Sequence, residues 1–109
     1  MTKEQRRELE RQIVRKMIRM LKASGWMVAE IDAGGDEMTQ VVDERDAMDA
    51  IFEVEEARVT LSNGELRHTV LIVLGNEYDV VANYSFSETD NFDGVMNAHK
   101  DYTKGLQED

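Results

Sequence analysis

The sequence predicts an α+β fold: a single two-layer domain ordered α-β-β-α-β-β-β-α, with a mainly antiparallel sheet packed against helices. Three observations carry that expectation. Apolar residues recur every three or four positions over the first 24 residues and again after residue 88. Between them, Ala57, Val59 and Leu61 alternate with Glu56, Arg58 and Thr60. An Asn63-Gly64 pair then separates that run from the next apolar one, the arrangement of a β-hairpin.

Residues 3 to 23 read as one helix. Leu9, Ile13, Met17 and Leu21 form an i, i+4 track, widened by Val14, Ile18 and Met20. Arg7, Arg11, Arg15 and Arg19 form a second track, about 200° around the axis. Thr2 is the expected N-cap, and Ser24-Gly25 the stop. The run from Trp26 to Ile31 reads as a strand, Asp32 to Glu37 as a turn around Gly34-Gly35, and Met38 to Val42 as a short return strand. Asp43 suits the N-cap of a helix through Phe52, with Ala47, Met48, Ile51 and Phe52 inward. Three more strands follow. The first is the alternating one; Leu66 to Leu74 turns apolar on both faces from Val70 and is placed inside the sheet. After the turn Gly75-Asn76-Glu77, the strand Tyr78 to Ser85 has Val80, Ala82 and Tyr84 on one face, with Asp79, Val81 and Asn83 on the other. The last helix is expected from Glu88 to about Leu106, capped by Ser87, with Glu88 and Asp90 at its positive end. Phe92, Val95, Met96, His99, Tyr102, Thr103 and Leu106 share one side of it.

The 109 residues amount to one domain, 1–109, divided into a basic amphipathic helix (1–24) and an acidic α+β body (25–106). Hydrophobic residues at 41% and charged residues at 33% describe a globular chain rather than a disordered one. The absence of cysteine excludes disulfides, thiol catalysis and cysteine-ligated metals. The longest apolar run, Val70 to Leu74, is far shorter than the ~20 residues of a membrane span, and the charged N-terminus does not resemble a signal peptide. A cytoplasmic protein is therefore expected. The net charge of −10 is uneven: residues 1–24 carry +5 and the remainder −15. A body of that charge is a poor direct partner for nucleic acid, whose phosphates need positive surface.

No pattern of catalytic residues emerges, so an enzyme, a cofactor and a metal site are not expected. His68 and His99 belong to no ligand spacing. His99, on an apolar helix face, is expected to be a hydrogen-bonded structural residue, and His68 is expected to be exposed. Asp32, Asp36 and Glu37 lack the alternating ligands of a calcium loop. Asp79, Asn83 and Ser85, followed by Asp90 and Asp93, form a polar set that fits either the edge of a pocket or a solvated sheet face; the second is expected, with Trp26 a core anchor.

Two stretches resemble a known group. Gly25-Trp26-Met27-Val28-Ala29-Glu30, then Val73-Leu74-Gly75-Asn76 with Asp79-Val80-Val81-Ala82-Asn83-Tyr84-Ser85, are similar to small uncharacterised accessory proteins of bacteriophages, prophages and plasmids of proteobacteria. The resemblance runs over residues 20 to 105, outside the basic helix. It departs at Asn83, where the group has an aspartate. What it implies is a setting, that of a mobile-element accessory protein.

Two functions fit these features. The first is a non-enzymatic module binding a host protein, an anti-defence factor or inhibitor whose acidic residues imitate nucleic-acid phosphates. Its candidate residues are Asp43, Glu44, Asp46, Asp49, Glu53, Glu55 and Glu56. The second is a self-associating structural protein. It would form a homodimer through the apolar stripe and methionines (Met17, Met20, Met27) of the N-terminal region, or set the basic track Arg7, Arg11, Arg15 and Arg19 against an acidic neighbour.

Overall fold

In the computed structural model, residues 2–32, 39–40, 43–75, 78–84 and 91–107 are described. The elements are α1 (Lys3–Ala23), β1 (Met27–Asp32), β2 (Thr39–Gln40), α2 (Glu44–Ile51), β3 (Glu56–Ser62), β4 (Arg67–Val73), β5 (Val81–Tyr84) and α3 (Phe92–Gln107). All strand pairings are antiparallel, in the order β2-β1-β3-β4-β5. This is the predicted α+β architecture. Its Cα radius of gyration, 13.3 Å, matches the ~13 Å of a folded chain this long, so α1 lies on the body.

The ends of α1 follow from local chemistry. Thr2 accepts from the Gln5 backbone N–H while the Gln5 side chain accepts from that of Thr2, a reciprocal capping box. At the other end, Gly25 takes φ +94°, a left-handed conformation that penalises side chains. The Gly25 N–H then reaches the Lys22 carbonyl and the Trp26 N–H the Leu21 carbonyl. This double closure seats Trp26 against the helix it has just left, with Leu21 and Trp26 both buried. The apolar track of α1 (Ile13, Val14, Met17, Ile18, Leu21) faces the sheet and is buried in the chain's own core.

In the sheet, register and parity agree. Val59 pairs with Ile31 and Val70, Ala57 with Ile72, and Leu61 with Val28 and His68, so these residues share the face under the helices. The opposite face presents Glu30, Arg58, Thr60, Arg67 and Thr69, with Arg67 3.8 Å from Glu30. Leu71 and Val73 lie half-buried on that face, which explains why β4 reads as apolar on both sides although helices cover only one. The Asn63-Gly64 hairpin has a four-residue loop. Gly64 sits at φ +98°, and Asn63 Oδ1 accepts from the Glu65 and Leu66 N–H groups.

Three expectations shift. β5 is shorter than predicted, and its register slips between Val81 and Asn83, opposite Leu71 and Ile72. That irregularity breaks the simple alternation and leaves Ala82 exposed although Val80, expected on the same face, is buried. α3 is described from Phe92; Ser87, Glu88 and Asp90, named above for its cap, lie outside the described residues. So do Asp36 and Glu37 of the first turn, and Ser85. His68 is the third, and is treated below.

Candidate functional site

The basic and acidic tracks meet at the surface, where α1 lies beside α2. α1 packs between α2 and α3, and its arginines fall on the α2 side. Arg19 donates from Nε and Nη2 to the two carboxylate oxygens of Glu44, at 2.7 and 3.2 Å. This two-point bond holds the Glu44 carboxyl below its ordinary range, with Arg15 and Lys22 adding their fields, and raises the Arg19 guanidinium further. Arg11 and Arg7 lie over the Phe52 ring at the end of α2, 4.9 and 5.6 Å from its centroid. Arg7, Arg11 and Arg15 are half-buried, so the basic track is flanked by the chain's own second helix.

The acidic candidates divide accordingly. Asp43 caps α2, its carboxylate accepting from the Asp46 N–H at 2.8 Å, and Glu44 holds Arg19. Asp46, Asp49, Glu53, Glu55 and Glu56 are exposed along the outer side of α2 and the connection into β3. The structure thus separates the seven acidic candidates into two used within the fold and five left facing outward.

The histidines part company. His68, expected on the surface, is buried at 7% exposure. Its ring stacks on Phe92 (4.2 Å between centroids, 7° between planes) and meets Trp26 edge-on at 5.1 Å. Parity carried that signal: His68 lies two and four positions before Val70 and Ile72, on their face, and the polar start of the strand masked it. Trp26 is the expected anchor, its indole N–H donating to Asn91 Oδ1 at 2.7 Å. His99 is the structural histidine expected. Its Nε2 lies 2.8 Å from the Ile13 carbonyl and therefore donates to it. Burial pushes its pKa down, the Ile13 bond opposes that, and the Lys16 charge lowers it again. Among the described residues, no group of three or more His, Cys, Asp or Glu side chains could hold a metal ion.

One feature escaped sequence reasoning and another was legible only at its edge. Glu10, one of three glutamates in the basic segment, is buried at 2% exposure, and the Gly75 N–H donates to its Oε2. Its place on the buried side of α1 was the available signal. The other feature is a cleft of about 450 Å³ between α3 and β5. Its floor is Ile13, Met96 and His99, all buried; its walls include Tyr78, Val81 and Tyr84, half-buried; Lys100, Lys104 and Asp79 lie on its exposed rim. Asp79 and Asn83, expected on a solvated sheet face, both line this cleft. The sequence offers only its polar edge at Asp79 and Asn83, because the cleft joins segments a dozen or more residues apart. Among the described residues, no helix is long and apolar enough to cross a membrane.

Comparisons of this chain with protein-family models, curated proteins and solved structures find no match.

Proposed function

We propose that this chain is a non-enzymatic protein-binding domain, an accessory protein of a phage or other mobile element. It would dock on a basic surface of a host protein through the outer side of α2 and the connection to β3. One observation carries the reading: Arg19 is engaged with Glu44 and Arg7 and Arg11 with Phe52, while Asp46, Asp49, Glu53, Glu55 and Glu56 stay exposed. A surface dominated by one sign, here five carboxylates with Arg45 as the exposed basic residue among them, steers a partner of the other sign and fixes its orientation. The basic groove of a DNA- or RNA-handling protein is such a partner, with carboxylates standing where phosphates would lie. Self-association through the apolar stripe of α1 is the weaker reading, because that stripe is already covered by the chain's own sheet.

The test is capture from a host lysate by tagged protein, washed at low and at high salt, with mass spectrometry of what remains. The expected outcome is one nucleic-acid-handling protein, released at high salt and absent with Asp46→Lys/Asp49→Lys. It should be retained by Glu4→Lys/Asp101→Lys, which makes the same change in net charge at exposed positions elsewhere. Equal capture by both double variants, or recovery of the protein alone, overturns the reading.

A further inference from the structure

We propose that the cleft between α3 and β5 is a binding site for a small organic monoanion carrying an aromatic ring. Its volume of about 450 Å³ lies within the ~300–1,000 Å³ of ligand pockets. Its layers also have the composition such pockets share: a buried apolar floor, aromatic walls and a few polar groups at the mouth. Ile13 and Met96 offer apolar contact below, and Tyr78 and Tyr84 supply ring surface at the sides.

Charge specifies the ligand's sign. The body outside the first 24 residues carries −15, yet the cleft gathers Lys100 and Lys104, one helical turn apart, against the single carboxylate of Asp79. The residues at the mouth therefore carry a net +1 in an acidic molecule, which favours an anion over a cation, while the chain's overall charge of −10 opposes a second negative charge on the ligand. Lysine ammonium groups are compact point charges that accept a carboxylate without demanding a planar fork. No positive charge lines the floor, and His99 is bound there to the Ile13 carbonyl, so the anionic end belongs at the mouth and the ring below. The site is independent of the acidic surface proposed above. α2 packs toward β1, in the other half of the sheet from β5, so each can fail without the other.

The test is a titration of the 15N-labelled full chain with 2-naphthoate, followed by amide chemical shifts. Naphthalene-2-carboxamide serves as the uncharged probe of the same shape. Saturable shifts confined to residues 78–84 and 96–107 are expected, with the amide binding up to about fivefold more weakly. Lys100→Glu/Lys104→Glu should weaken naphthoate by a similar factor, whereas Lys3→Glu/Lys22→Glu, the same charge change on exposed positions of α1, should not. All four lysines are exposed, and each pair holds one last-turn lysine (Lys104 in α3, Lys22 in α1), so the two variants carry a matched helix-end cost. No saturable shift at millimolar naphthoate, shifts centred elsewhere, or equal binding of acid and amide each overturn the proposal.

Discussion

His99 ties α3 to α1 through one bond, its Nε2–H to the Ile13 carbonyl, and so holds its ring in a single neutral tautomer. Because burial lowers its pKa in the folded state, the unfolded chain takes up a proton first as pH falls. The stability it contributes is full above about pH 6.5 and is lost as pH drops from there toward the folded-state value. Urea midpoints measured between pH 8 and pH 5 should therefore fall more steeply for the native chain than for His99→Gln, which keeps an N–H donor and removes the titration. Parallel slopes would show that His99 does not titrate differently on folding. Asn91 makes a second such tie, accepting from the Trp26 indole and donating to the Ser24 carbonyl at 3.2 Å. Asn91→Ala should cost about 1–2 kcal/mol by urea unfolding, the penalty of leaving a buried indole N–H unmade. Asn91→Asp keeps the acceptor and should recover part of that. Glu10→Ala removes a charged acceptor from the Gly75 N–H and should cost about 1.5–3 kcal/mol in the same measurement.

At the scale of elements, α2 depends most on its ends. It has eight residues, too few to be stable alone, so its cap and its packing must hold it. Asp43→Ala should cost about 1 kcal/mol, with Asp43→Ser recovering most of it, because either oxygen can accept from the Asp46 N–H. The Arg19–Glu44 pair is exposed on the arginine side and belongs to a different class. A double-mutant cycle on it should give a small coupling that shrinks with added salt. The sequence made α1 and β3 legible because each carries its own period: 3.6 residues over Leu9 to Leu21, two over Ala57 to Leu61. It misplaced β5 because a register slip cannot be read from alternation; alternation assumes that no slip occurs. The same limit hid the cleft beside β5, whose walls come from two elements that no local pattern joins.

For the whole molecule, the distribution of charge matters more than its total of −10. Folding brings the basic segment against the start of α2, so part of the contrast between the first 24 residues and the rest is neutralised internally. With the apolar stripe of α1 in its own core, sedimentation at 0.05 and 0.5 M salt should give the mass of one chain, 12.5 kDa, at both. A two-chain mass at either would move attention to the open sheet face, where Leu71 and Val73 lie half-buried. By itself the sequence determined the order of elements, the caps of α1 and α2, the anchor role of Trp26 and the structural role of His99. Each of these rests on residues close along the chain or on a repeating period. Only the tertiary structure decided that Arg19 meets Glu44, that His68 stacks on Phe92, that Glu10 holds Gly75, and that Lys100 and Asp79 share one mouth. Those partners lie 25 residues apart in the first case and 65 in the third. Contacts at such range follow from how faces pack, which a single strand of letters does not encode position by position.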